Sequence, residues 1–170
     1  MIFVCPLSQL ERTVAACGAR RVLTLIADGA VVERPANVAP ADHLALRFHD
    51  IAEPRAGLVA PTAGMVEEAL AFAAADDGPL VVHCYAGVSR STAMAYAIAC
   101  AREPGRDESE LADELRRLSP TATPNRLIVA LADAALARAG RMSAAIARIG
   151  RGEETFEGEP FALRLAGVRA

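Results

Sequence analysis

A thiol and a guanidinium frame the run His83-Cys84-Tyr85-Ala86-Gly87-Val88-Ser89-Arg90-Ser91. The apolar stretch 79–82 leads into it as a strand, and an alanine-rich helical segment leaves it near Ser91. Between them lies a tight loop that closes on a helix N-terminus. Such a loop turns unpaired backbone N–H groups inward, and the helix dipole adds partial positive charge there, which makes an anion cradle. Cys84, at the head of the loop, meets a potential that favours the thiolate, the nucleophilic form. Arg90 closes the loop with a planar fork that matches two oxygens of a tetrahedral oxyanion. The residue types and their spacing therefore imply a phosphate site that contains a nucleophile.

The pattern His83-Cys84-x5-Arg90-Ser91 resembles the signature of the cysteine-dependent protein tyrosine phosphatases. Within it, Ala86-Gly87-Val88-Ser89-Arg90-Ser91 is similar to the dual-specificity branch, in the manner of a small bacterial-type tyrosine phosphatase. The histidine before the cysteine, the glycine three after it and the serine after the arginine set the run apart from a bare Cys-x5-Arg. They also set it apart from a structural cysteine in a strand-to-helix turn. The resemblance implies that the Cys84 thiolate attacks phosphorus to give a phosphocysteine. Arg90 and the backbone amides of Tyr85, Ala86, Gly87, Val88, Ser89 and Arg90 would hold the other phosphoryl oxygens. Ser91 would donate a hydrogen bond to Cys84 and so ease its departure in the second step. His83 would support the loop; a buried histidine with no such role is the alternative. The resemblance implies no cofactor and no metal.

A phosphoryl transfer of this kind also needs an acid for the leaving oxygen. Asp50 follows a strand-like alternation over 43–48, where a carboxylate reaches a site built at the edge of a parallel sheet. On residue type alone it is equally a turn residue bonded to its own backbone. The resemblance favours the acid, because dual-specificity phosphatases carry theirs on a loop after a strand, at a comparable distance before the cysteine. Glu53 and Asp42 are the competing carboxylates.

The elements that must position these groups read in order as follows. Ile2–Cys5 is a short apolar start, and 6–17 has helical spacing at Leu7, Leu10, Val14 and Cys17, ending at Gly18. A buried strand spans 20–26, and Asp28-Gly29, Pro35, Asn37 and Pro40 mark a loop. Pro61 suits the first turn of a helix with Met65, Ala69, Leu70, Phe72 and Ala73 on its apolar face. After the cysteine loop come helices over 91–102 and 107–118, the second with acids early and Arg116-Arg117 late. Thr123 is a candidate N-cap with Pro124 at the first position of a further helix ending near Ala139, and Asn125 either supports the phosphate loop or simply caps. A short helix covers 141–149. The order predicts an α/β fold, a central mainly parallel sheet flanked by helices, of the dual-specificity phosphatase type. Residues 1–150 read as one catalytic domain, and 151–170 as a tail that could be an edge strand, a partner-binding segment or disordered. The resemblance covers roughly 20–138, with its motifs in 48–54 and 79–92.

Composition narrows the partners. Of 170 residues 53% are apolar but only 4% aromatic, so the core must be aliphatic and alanine-rich. A net charge of −3 without a basic block argues against a nucleic-acid partner. No apolar run approaches the roughly 18 residues of a membrane helix, and no signal peptide precedes the first strand, so a cytoplasmic protein is expected without a membrane partner. Cys5, Cys17, Cys84 and Cys100 form no metal-ligand pattern with the histidines, and all but Cys84 read as core residues. Phosphatases that act on inositol phospholipids tend to carry basic residues inside this loop, whereas positions 85, 86 and 88 here are Tyr, Ala and Val. A phosphorylated protein or peptide is the expected substrate, phosphotyrosine first, with phosphoserine and phosphothreonine admitted by a shallow site. A small phosphorylated metabolite, a non-catalytic phospho-residue binding module and a sulfur- or arsenate-handling enzyme are the alternatives. The sequence leaves the oligomeric state open.

Overall fold

The computed structural model describes residues 1–165. Its centre is a five-stranded sheet made of β1 (Ile2–Pro6), β2 (Arg21–Ile26), β3 (His43–Arg47), β4 (Leu80–Cys84) and β5 (Phe161–Leu163). The strand order is β3-β2-β4-β1-β5, parallel throughout except for β5, which pairs antiparallel with β1. β2 and β4 are mostly apolar, with Thr24 and His83 the buried polar exceptions, because both of their faces are covered, as parallel strands require. Side-chain alternation sorts them. Val4, Leu23, Leu25, Leu80, Val82 and Cys84 point into one core, while Cys5, Val22 and Val81 point into the other.

One face carries only α1 (Leu10–Cys17), entered through a 3-10 turn at Leu7–Gln9 and ended by Gly18 in the left-handed conformation. The other carries α2 (Ala63–Ala74), α3 (Arg90–Arg102), α4 (Glu108–Leu118), α5 (Arg126–Ala135) and α6 (Arg141–Ile149). α3 packs on β1 and β4 below and on α2, α4 and α5 around it, so every residue from Arg90 to Cys100 is buried. Its alanines are what let the neighbours approach so closely. Buried aliphatic side chains such as Ile98 and Leu111 contribute about 1.5–3 kcal/mol each. Tyr96 is wholly buried and satisfies its hydroxyl by donating to the Glu108 carbonyl at 2.9 Å.

Several boundaries differ from the sequence reading: Pro6 ends β1 and α1 proper starts only at Leu10, and three more differences have a local reason. Pro61 precedes α2, because Thr62 is the N-cap, its hydroxyl accepting from the Met65 N–H. Asn125, not Thr123, caps α5, since its carbonyl oxygen accepts from both Leu127 and Ile128 N–H groups. α5 stops at Ala135 and not near Ala139, because Ala137 and Ala139 take positive φ before Gly140. The tail contains an edge strand, β5, whose Phe161 pairs with Val4. Its last residues, 166–170, lie outside the described residues. Among the described residues no helix is long and apolar enough to cross a membrane.

Candidate active site

Cys84 is the last residue of β4, so its side chain emerges at the carboxyl edge of the sheet, where the loop 85–89 turns into α3. The thiol is only 2% exposed, at the bottom of that loop. Two groups point at the sulfur: the Gly87 N–H at 3.3 Å and the Ser91 hydroxyl at 3.2 Å. Gly87 can be nothing else. Its φ is +71°, and a Cβ there would lie 2.7 Å from the Pro6 nitrogen.

Four of the five loop carbonyls, those of Tyr85, Ala86, Val88 and Ser89, are captured from outside the loop. Tyr85 O accepts from Leu7 N–H at 3.1 Å, and Ala86 O from Gly158 N–H at 2.8 Å. Val88 O accepts from Thr123 N–H at 2.9 Å and the Thr92 hydroxyl at 2.6 Å. Ser89 O accepts from Ala93 and Asn125 N–H groups at 3.0 and 3.3 Å. A trans peptide is planar, with its C=O and the following N–H directed oppositely. Outward carbonyls therefore force the next N–H groups inward, toward the space above Cys84.

Arg90 is 6% exposed, and its Nη1 donates to the Phe48 carbonyl at 2.9 Å. That bond to the end of the β3 segment fixes the guanidinium plane. The Arg90 Nε makes no hydrogen bond among the described residues and lies 3.9 Å from Asp50 Oδ2. A donor of this kind is free to meet an oxyanion.

Asp50 does not bond to its own turn. Its Oδ1 accepts from the Ser89 hydroxyl at 2.8 Å and from Asn125 Nδ2 at 2.7 Å. Asn125 thus does both things read for it as alternatives: its oxygen caps α5 and its amide holds Asp50 beside the loop. Of the competing carboxylates, Asp42 pairs with Arg21 at 3.7 Å before the start of β3, the opposite edge of the sheet. Glu53 is exposed, with no hydrogen bond or ion pair among the described residues.

His83 faces the α1 side, away from Cys84, and is wholly buried. Its Nε2 is 2.6 Å from the Thr24 hydroxyl, which is also 2.7 Å from His43 Nε2. One hydroxyl hydrogen serves two imidazoles, so their tautomers are linked. Burial, the larger cause, with His43 and Arg90 adding to it, pushes the His83 pKa down to about 4, and the ring is neutral at pH 7. Burial and then Arg34 lower that of His43 in the same direction. Desolvation raises the thiols of Cys5 and Cys100 to about 12, the environment of inert core cysteines.

The structure brings together Cys84, the loop Tyr85 to Ser89, Arg90, Ser91, Asp50 and Asn125, whereas His83 points to the other face of the sheet and its ring bonds to Thr24 and not to the loop. It adds three residues that sequence reasoning missed, Thr24, Phe48 and Gly158, and one further role, for Ser89, which was named only for its backbone amide. Thr24 was visible as a lone hydroxyl in the apolar strand Val22-Leu23-Thr24-Leu25-Ile26. Phe48 acts through its carbonyl, Ser89 through its hydroxyl, and Gly158 sits in the tail with no sequence signal at all. A cleft of about 340 Å³ adjoins Asp50, Ser89 and Asn125, with Arg126 and Arg151 at its margin. A separate cavity of about 550 Å³, between α1 and β5, contains none of these residues. Among the described residues no three His, Cys, Asp or Glu side chains are grouped to hold a metal ion.

No protein-family profile and no curated protein matches the chain. Solved structures do. The PTP-2 phosphatase of Cydia pomonella superposes with a TM-score of 0.61 at 21% identity, covering 78% of this chain and 84% of that one. Human DUSP28 gives 0.62 at 17%, over 81% and 92%. PTPMT1 in complex with PI(5)P gives 0.60 at 18%, over 82% and 94%. The chain has the fold of the dual-specificity-type cysteine phosphatases.

Proposed function

We propose that this chain, folded as a dual-specificity-type cysteine phosphatase, hydrolyses phosphate monoesters, phosphotyrosine on proteins first among them. The observation that carries the reading is the convergence on one thiol. Cys84 Sγ receives an aimed amide and a serine hydroxyl, while Arg90 and Asp50 stand together at the loop's mouth. In the first step the Cys84 thiolate attacks phosphorus, the S–P bond forms and the P–O ester bond breaks. Protonated Asp50 gives its proton to the departing oxygen. In the second, the Asp50 carboxylate takes a proton from water, the water oxygen attacks phosphorus and the S–P bond breaks. Phosphate leaves and the thiolate returns, its charge eased by the Ser91 hydroxyl. Arg90 and the inward N–H groups hold the three equatorial oxygens throughout, already oriented before substrate arrives.

An uncharged loop at positions 85, 86 and 88 supports a substrate with a single phosphate. Phosphoserine and phosphothreonine are secondary substrates of the same site. PTPMT1 was captured with a phosphoinositide, so a lipid or small phosphorylated metabolite is the comparison substrate of choice. The test is hydrolysis of an aryl phosphate without added metal by the wild type, Cys84→Ser and Asp50→Ala, followed by a phosphopeptide panel beside PI(5)P. Turnover by the wild type, loss in the serine variant and slowing by about 10²–10⁴-fold in the alanine variant are expected. A wild type that binds phosphopeptide without turnover replaces the enzyme with a binding module.

A further inference from the structure

The segment between α6 and β5 lies outside the region that the phosphatase signature reaches, yet it runs along the back of the phosphate loop. Gly152 N–H donates to the Thr123 hydroxyl at 3.1 Å, and Glu153 N–H to the Pro120 carbonyl at 3.0 Å. Arg116 ties its beginning to α4, its Nη2 donating to the Gly150 carbonyl at 2.8 Å. The Ser8 hydroxyl donates to the Glu157 carboxylate, and β5 then fastens the segment's far end to β1. Between these anchors Gly158 is buried, and its N–H donates to the Ala86 carbonyl at 2.8 Å. The fit is tight. A Cβ on Gly158 would lie 3.2 Å from the Gly87 oxygen and 3.4 Å from Val88 Cγ2.

The Ala86 carbonyl belongs to the same peptide plane as the Gly87 N–H, which is the amide aimed at Cys84 Sγ. Holding one end of that plane aims the other. We propose that residues 150–158 are a working part of the active site, with Gly158 as a positioning residue that orients the Gly87 amide onto the nucleophile. The Tyr85 carbonyl is held by Leu7, and those of Val88 and Ser89 by residues of α3 and of the loop before α5. Ala86 is the one whose backbone captor comes from the tail.

The inference rests on the phosphatase reading, and its test separates the two. Gly158→Ala and the bulkier Gly158→Val displace the strap from the loop. Leu163→Val weakens β5, where Leu163 is fully buried, without touching the Ala86 contact. At 25 °C three quantities are read: alkylation of Cys84 by iodoacetamide, tungstate affinity by calorimetry, and kcat and KM for an aryl phosphate. In Gly158→Val, alkylation slows and tungstate binding weakens by about fivefold, the worth of one lost hydrogen bond, and kcat falls more than KM rises. Gly158→Ala moves in the same direction by less, and decides the matter if the valine variant does not fold. Leu163→Val lowers the Tm by a few degrees but leaves all three quantities within about twofold. Gly158 variants that alkylate and bind tungstate as the wild type does overturn the proposal. So does a Leu163→Val effect on the site as large as theirs, or a wild type that binds no tungstate. A wild type that binds tungstate and is alkylated but does not turn over refutes the hydrolytic reading alone, since the first two quantities still report on the strap.

Discussion

His83 gives the fold a built-in acid sensitivity whose size follows from its burial. The ring's pKa falls from an ordinary 6.5 to about 4 because burial, above all, disfavours the charged form. As pH drops through 6.5 the unfolded chain takes up a proton that the folded chain refuses until about 4. Stability from this group is therefore complete above 6.5, declines across the interval and levels off below 4. The whole interval is worth about 3 kcal/mol, and about 2 kcal/mol of it is gone by pH 5. His43 adds to the loss in the same sense, since its pKa is also lowered. Glu108, held below the usual carboxylate range first by the hydrogen bond from Arg141, titrates in more acid solution. The assay is the urea midpoint at pH 7.5 and pH 5 for the wild type and His83→Gln, whose amide can still meet Thr24. The glutamine variant is expected to be less stable at pH 7.5 yet to lose about 2 kcal/mol less on acidification. Equal losses in the two proteins would refute the argument, because the slope would then belong to other groups.

Two further outcomes follow from contacts at the site. Asn125→Ala uncaps α5 at a cost of about 1 kcal/mol and leaves Asp50 with one hydrogen bond, from Ser89, beside its ion pair with Arg90. Asn125→Ser restores the cap and the Tm but not the rate on alkyl phosphates, which is expected to fall about tenfold in both variants; full recovery by serine would show that the amide's bond to Asp50 has no catalytic weight. Peroxide is expected to convert Cys84 to a sulfenic acid that dithiothreitol reverses, without an intramolecular disulfide. Cys5, though one strand away, points into the opposite core. The intact mass should gain one oxygen atom, and a loss of two hydrogens would overturn the reasoning.

The fold class and the heart of the site were legible in the sequence because both depend on neighbours along the chain. A buried strand, a loop that needs Gly87 and an alanine-rich helix are all local signals, and Cys84, Arg90 and Ser91 inherit their geometry from them. Asp50 was readable only as one of two roles. What decides its geometry is a contact with Asn125 on a distant helix, and no spacing rule encodes that. Capping was misassigned at Thr123 because Ser, Thr and Asn are nearly interchangeable as caps, and the choice is made by which side chain the following N–H groups can reach. The tail was the least legible part. Phe161, Ala162 and Leu163 alternate too briefly to declare a strand, and Gly158 is one glycine among several until the loop it touches is known.

The link between Gly158 and Ala86 also has a meaning in time. A chain made from its N-terminus exposes β4, the cysteine loop and α3 well before the residues that close over the loop's back. Until the late segment emerges and β5 joins β1, the Ala86 carbonyl must bond to water and the amide above the sulfur is free to turn. A molecule cut before residue 150 would carry every residue of the signature and still lack the bond that holds the Ala86 carbonyl. The amide's alignment would thus come later than the signature residues themselves, only once residues 150–163 are in place, with β5 joined to the sheet.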